Sequence, residues 1–242
     1  MQRICQPTDV KQLGTIVGVW AHPDDESYSC GGLLTTAIRQ GQTVACITAT
    51  RGEAGVQDES RWPAAHLADI RTHELEQAMQ ILGVQHHYWL NYADGSCAAV
   101  PIDEVVPKLV NIIEQYKPDT ILTFGPEGLT GHPDHQTMST WVQAVLPKLS
   151  KQPRVYGVVQ LDSLYEKYMK AADEQFDIFF NIDQPPLKTE AECDICYQLP
   201  IDVVQCKCQA LRAMPSQTAA MFTATPEATL QAMLGTETFV LQ

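Results

Sequence analysis

The sequence predicts an α/β fold with a mostly parallel sheet flanked by helices. Three observations predict it. Short apolar, β-branched runs alternate with helical patterns at the spacing of βαβ units. Two of those runs are each followed by a short loop, a His-Pro dipeptide and a polar residue that opens a helix. The chain has 242 residues, 45% hydrophobic and 19% charged, which is enough for one α/β domain with a real core. A single domain over 1–242 is expected, with its core at about 15–160 and a smaller, irregular C-terminal elaboration at about 161–242.

The elements follow in order. Residues 1–14 are a lead-in. Residues 15–20 (TIVGVW) form the first strand. Pro23 bars His22 from helical angles and suits the start of the next helix, which ends near Gly41. Residues 43–48 form the second strand, and the polar loop 51–55 follows at its carboxyl end. Over 64–82, Leu67, Ile70, Leu75, Ala78, Met79 and Leu82 share one helical face, with Gly83 as the C-cap. Residues 87–90 are a short third strand leading into the turn 91–95. A helix is expected over 102–116, where Pro107 marks a kink or a later start. Residues 120–124 form the fourth strand, 137–149 a helix and 155–159 a fifth strand. Beyond that the pattern weakens. A strand is expected at 176–182, a loop at 183–186, and helices at 201–213 and 226–234.

The chemistry-bearing stretch is Ala21-His22-Pro23-Asp24-Asp25-Glu26. Three acidic residues directly after a buried strand cost desolvation unless a cation compensates. His22 at the strand's end and Asp25 in the first helical turn share a face and can grip one ion, which leaves Asp24 free. The second stretch, Gly131-His132-Pro133-Asp134-His135, repeats the design. In a parallel sheet both loops lie at the carboxyl ends of their strands. His22, Asp25 and His135 then make a two-His, one-carboxylate metal set with open positions. Asp24, beside two ligands, is the expected general base. His132, one turn before His135, is placed to meet developing negative charge as an imidazolium. Two residues stay open. Glu26 complements the helix N-terminus or bonds a ligand, and Asp134 orients His132 or faces solvent.

The AHPDDE and HPDH pair resembles the metal-dependent de-N-acetylases of the PIG-L/LmbE family, which are N-acetylglucosaminyl deacetylases. Motif-level resemblance covers about 15–160 and, loosely, 200–217. It implies a Rossmann-like sheet and a zinc-dependent hydrolase that removes an acetyl group from an N-acetylated amino sugar or related small amide. A two-His, one-carboxylate site also suits Fe²⁺ or another divalent metal. The same chemistry on a different small amide, and a non-catalytic metal-binding protein on the same fold, are the alternatives. The resemblance also implies substrate contacts for Arg51, Arg71 and Asp94, set against a surface role for Arg51 and an Arg71–Glu74 pair on one helix. It implies a trimer or hexamer as the homo-oligomer. Many members carry a histidine shortly before Ser-Gln; here Met214 precedes Ser216-Gln217.

The net charge of −13 argues against nucleic acid or an anionic membrane surface as partner and leaves a small molecule. No apolar run is long enough to cross a bilayer, and the first residues lack the apolar core of a signal peptide, so a cytoplasmic protein is expected. The eight cysteines are expected to be reduced thiols. Cys193, Cys196, Cys206 and Cys208 are read as buried thiols rather than a structural zinc site. His66, His73, His86 and His87 look ordinary, with the adjacent pair at the surface.

Overall fold

A computed structural model describes residues 3–176, 178–179, 181–182 and 185–242. Its central feature is a seven-stranded sheet in the order β3-β2-β1-β4-β5-β9-β8. The parallel part is β1 (Ile16–Trp20), β2 (Val44–Thr50), β3 (His86–Tyr92), β4 (Thr120–Phe124) and β5 (Arg154–Val158). β1, β2 and β4 are buried along their whole length. Covering both faces demands continuous apolar runs rather than alternation, which is what these segments carry. Helices α1 (Asp25–Arg39), α2 (Leu67–Leu82), α3 (Ile102–Tyr116) and α4 (Pro133–Val145) connect the strands. Pro107 lies inside α3 on its exposed side, so the helix continues past it.

Strand order reverses at β1. The chain runs outward to β2 and β3 on one side and to β4 and β5 on the other. Loops leaving β1 and β4 therefore diverge and open a crevice at their carboxyl ends, the place where open α/β sheets bind ligands. Both His-Pro motifs leave from this point.

The C-terminal elaboration is more regular than its sequence suggests. β6 (Gln160–Leu161) pairs in parallel with β7 (Leu187–Lys188). α5 (Asp162–Leu164) runs through a π-helical turn (Tyr165–Met169) into α6 (Lys170–Phe176). The strand expected at 176–182 is not found: Phe176 closes α6, and Ile178, Phe179, Asn181 and Ile182 lie in turns and a bend. Asp177, Phe180, Asp183 and Gln184 lie outside the described residues. β8 (Ile195–Gln198) and β9 (Thr236–Leu241) extend the sheet antiparallel from β5. Between them come α7 (Ile201–Arg212), α8 (Pro215–Ala224) and α9 (Glu227–Leu234). The lead-in joins this edge, because Ile4 bridges to Ile195.

β9 escaped the sequence reading because Glu237 interrupts its apolar pattern. Glu237 is 2% exposed, and its carboxylate is compensated in full. It pairs with Lys207 of α7 at 2.7 Å and accepts the backbone N–H groups of Gly32 and Leu33 in α1. A buried ion pair survives only with such saturation. The pair ties β9, α1 and α7 together. No helix among the described residues is long and apolar enough to cross a membrane.

Candidate metal centre

α1 begins at Asp25, two residues later than Pro23 suggested, because Asp24 takes a left-handed conformation at φ 106°. That backbone is unusual for a residue with a side chain and marks a constrained turn. It folds the Asp25 carboxylate back under the loop, where Oδ2 accepts the N–H groups of His22 (2.7 Å) and Ala21 (3.1 Å). α4, by contrast, begins at Pro133 with His132 as N-cap.

Three side chains converge between these helix starts. His22 Nδ1 lies 3.2 Å from His135 Nε2, His135 Nε2 lies 3.3 Å from Asp25 Oδ1, and His22 Nδ1 lies 3.7 Å from Asp25 Oδ2. Four-coordinate ligands about 2.0–2.1 Å from an ion stand roughly 3.3–3.4 Å apart, which the edges from His135 Nε2 to His22 Nδ1 and to Asp25 Oδ1 match, while the third edge runs to the other Asp25 oxygen. The outer ring nitrogens fix its chemistry. His135 Nδ1 faces the Gly128 carbonyl at 3.0 Å and Thr130 Oγ1 at 3.2 Å, so the proton sits there and Nε2 presents a lone pair. His22 Nε2 lies 2.9 Å from Asp94 Oδ1 and 3.4 Å from Asp134 Oδ2. It sits between the two carboxylates in an ion-pair geometry and lacks a well-aligned hydrogen bond to either. Its proton faces them, and Nδ1 turns a lone pair inward. With His22 neutral, two lone pairs and a carboxylate thus meet with no donor among them, an arrangement that a cation satisfies, whether a metal ion or a second proton on His22.

Charge balance agrees. Burial opposes a proton on His22, but Asp134, Asp94 and Asp25 outweigh burial and raise its pKa to about 10. Burial also works against the Asp25 carboxylate, yet His135 and His22 hold its pKa well below the usual range. Asp94 is likewise drawn down to about 2 by His22 against burial. The pocket is built for positive charge.

Asp24 stands beside this triangle in a different state. Burial, only partly offset by Arg71 and reinforced by Asp25, raises its pKa to about 6. Glu26 is fully buried; burial lifts it to about 8 against a 2.6 Å hydrogen bond from Ser27. Burial thus favours its neutral form. The pKa of His132 is lowered by burial and by the neighbouring His22 and His135. Its Nδ1 accepts the Asp134 N–H at 3.1 Å. That bond requires a lone pair on Nδ1, so His132 here is a neutral ring with its proton on Nε2, not the imidazolium expected from sequence.

Two other expectations change. Asp134 does not face solvent, and it orients His132 through its backbone N–H and not through its carboxylate. It is fully buried, accepts the N–H groups of Gly95 and Cys97, and backs His22. Arg71 does not pair with Glu74, whose carboxylate is taken by Ser216. The Arg71 guanidinium, 4% exposed, donates to the carbonyls of Pro23 (2.6 Å) and Gly52 (2.7 Å) and lies 3.5 Å from Asp24 Oδ2. It straps the Asp24 turn in place. Gly52 permits this at φ +69°, where a Cβ would sit 2.2 Å from Arg71 Nη1.

Asp94 reaches the cluster as a brace on His22, and its Oδ2 accepts the Ala54 N–H. Arg51 does not reach the cluster. It stacks 3.8 Å over Trp89 and donates to Thr72 and Asn91. Met214 is buried in the core. Cys193 precedes β8, Cys196 lies within it, and Cys206 and Cys208 sit on α7; all four are free thiols, and Cys206 is half-buried where a buried thiol was expected. His86 is exposed as expected; His87 is not, being half-buried and bonded to Thr48 at 2.9 Å.

Among the described residues, two groups bring one candidate ligand atom from each residue within 4.8 Å of one another: His22, His132 and His135, and His22, Asp94 and Asp134. The family model for PIG-L, GlcNAc-PI de-N-acetylase, matches residues 17–146. The chain belongs to the PIG-L family. A 1D-myo-inositol 2-acetamido-2-deoxy-alpha-D-glucopyranoside deacetylase of Corynebacterium diphtheriae is 33% identical over 139 residues, covering 49% of this chain and 47% of that protein. Two further relatives with such names are covered over 46% and 44% of their length, so the chain spans about half the length of these relatives. Among solved structures, the N,N'-diacetylchitobiose deacetylase from Pyrococcus horikoshii superposes with a TM-score of 0.66 at 23% identity, over 97% of this chain and 86% of that one. The A40926 pseudoaglycone deacetylase Dbv21 gives a TM-score of 0.68 at 17% identity, over 94% and 96%. These likenesses show a shared fold.

Proposed function

We propose that this chain is a metal-dependent N-deacetylase that hydrolyses the acetamide of an N-acetylated amino sugar. The observation that carries the proposal is the convergence of His22 Nδ1, His135 Nε2 and the Asp25 carboxylate, with Asp24, held by Arg71, next to them. The family relatives named as N-acetylglucosaminide deacetylases support the substrate class. His22, Asp25 and His135 are the ligands, and their two-nitrogen, one-carboxylate donor set suits zinc, with Fe²⁺ as the other candidate. A divalent ion there supplies Lewis acidity toward the amide carbonyl and the attacking water.

The chain's own groups handle the protons and the charge. Asp24, with its pKa near 6, is ionised at neutral pH and basic enough to take the proton of the attacking water. Arg71 holds the Asp24 turn so that the carboxylate keeps its aim. His132 offers its Nε2–H to the negative charge that develops on the carbonyl oxygen. That role needs a donor and no positive charge, so the lowered pKa of His132 is compatible with it. The proton held by Asp24 then returns to the departing amine nitrogen. Asp94 and Asp134 hold the His22 ring against the pull of the ion.

The test is amine release from methyl N-acetylglucosaminide, followed with an amine-reactive fluorophore. Amine and acetate should appear in equal amounts, stop with chelator and resume with added zinc. Release that ignores the chelator, or no release from any N-acetylated amino sugar, would contradict the proposal.

A further inference from the structure

We propose that Glu53 is a positioning residue for the metal ligand His22, acting through Asp94. The role depends on His22 being a ligand, and it extends the brace on that ring to the loop after β2. Asp94 sits in the turn that follows β3, where Gly95 takes φ +74°. Three backbone N–H groups of this turn are taken by carboxylates. Glu53 Oε1 accepts from Asp94 at 3.0 Å, while Asp134 accepts from Gly95 at 2.8 Å and from Cys97 at 3.1 Å. A hydrogen bond to an ionised acceptor is stronger than one between neutral groups. The turn is thus gripped from two sides, by the loop after β2 and by the first turn of α4. Asp134 also turns its carboxylate to His22 Nε2, at 3.4 Å. Glu53 stands one step further out.

The grip on Asp94 is reciprocal. Its N–H goes to Glu53, and its Oδ2 accepts the N–H of the next residue, Ala54, at 2.9 Å. Two bonds in opposite directions fix both the backbone and the carboxylate of Asp94, and they leave Oδ1 for His22 Nε2 at 2.9 Å. With the Ala54 bond alone, the carboxylate would pivot about a single contact. Glu53 Oε2 is buried and has no hydrogen-bond partner among the described residues. Arg51, two residues earlier, bonds Thr72 and Asn91 instead. An unpaired buried carboxylate oxygen costs stability, and such a cost is the mark of a residue kept for function. The same loop carries a second anchor of the site, because the Gly52 carbonyl accepts from Arg71, which straps the Asp24 turn. Residues 52–54 thereby set both the brace on the ligand and the aim of the base.

Zinc affinity of the full chain, measured by competition with a fluorescent chelator, tests this without reference to turnover. Glu53→Ala should bind zinc at least ~5-fold more weakly, the worth of one hydrogen bond, and stay inside the ~100-fold loss expected for an outer partner of a ligand. Glu53→Asp, one methylene too short to reach the Asp94 N–H, should match it and serves if the alanine variant fails to fold. Glu53→Gln keeps the acceptor and should stay within ~3-fold of wild type, giving up only the charge assistance. Adding Glu53→Ala to Asp94→Asn should weaken binding by no more than a further ~2-fold, because Glu53 acts only through Asp94. A residue that merely stabilised the loop would show neither the glutamine rescue nor this non-additivity. Wild-type zinc affinity in both Glu53→Ala and Glu53→Asp, a loss in Glu53→Gln as large as theirs, or full additivity with Asp94→Asn would overturn the inference. Unchanged zinc binding in His22→Ala would overturn the ligand assignment instead.

Discussion

Asp94→Asn separates a residue that braces a ligand from one that binds substrate. Asp94 Oδ1 lies 2.9 Å from His22 Nε2, while Oδ2 accepts the Ala54 N–H at 2.9 Å. An asparagine that keeps the Ala54 bond must turn its NH₂ toward His22. That favours the tautomer with a lone pair on Nε2 and a proton on Nδ1, which blocks the inward ligand atom. Turning the amide the other way restores the tautomer and loses the Ala54 bond, which costs about 1 kcal/mol. Either way the carboxylate charge is gone. Asp134 stays at 3.4 Å and limits the damage. Loss of such an outer partner lowers metal affinity by roughly 10–100-fold, or about 1.4–2.7 kcal/mol. Competition with a fluorescent zinc chelator at pH 7.5 measures it. With zinc in excess, kcat and KM should stay within a few-fold of wild type. Unchanged zinc affinity with a KM raised more than ~10-fold would refute the bracing role and return Asp94 to the substrate.

His132→Ala should retain metal and lose ~10²–10³ in kcat with little change in KM, the size expected for removing one donor to a developing oxyanion; a large rise in KM at constant kcat would contradict the assignment. Lys207→Met leaves Glu237 buried without its cation and should cost about 3–5 kcal/mol, read as a Tm drop on the order of 10 °C. The double variant with Glu237→Leu should recover most of it, and equal loss in both would argue against the pair. His87 contributes pH dependence. Burial, with Arg51 adding to it, depresses its pKa from 6.5 to about 4. Between those values the unfolded chain binds a proton that the folded chain does not, so stability falls as pH falls from about 6.5 towards 4 and is fully present above. Urea midpoints at pH 7 and 5 should differ less in His87→Gln than in wild type; parallel loss would refute this.

The parallel half of the sheet was legible because burial on both faces forces unbroken apolar runs such as 120–124. The starts of α1 and α4 were legible to within a few residues because proline and histidine sit where those runs end, although α4 begins at Pro133 and not at 137. Residues that contact one another only through the fold were not legible. Asp94 approaches His22 from the loop after β3 and Asp134 from the first turn of α4, and no local spacing announces that meeting. The neutral state of His132 depends on one backbone N–H. Arg71 looked available for substrate because nothing in a helical pattern shows that its head group is taken by the Pro23 and Gly52 carbonyls. β9 was hidden by Glu237, whose partners lie in α1 and α7. α8 had a signal that went unread, a proline at its first position.

The central claim is that His22, Asp25 and His135 hold one divalent ion while Asp24 works beside it without binding it. Metal-to-protein ratio, measured by inductively coupled plasma mass spectrometry on purified wild type, His22→Ala, His135→Ala and Asp24→Asn, tests that directly. Wild type and Asp24→Asn should carry about one metal per chain, with turnover in Asp24→Asn down at least ~10²-fold, and both histidine variants should be largely depleted. Full metal in the histidine variants, or loss of metal in Asp24→Asn in step with activity, would contradict it.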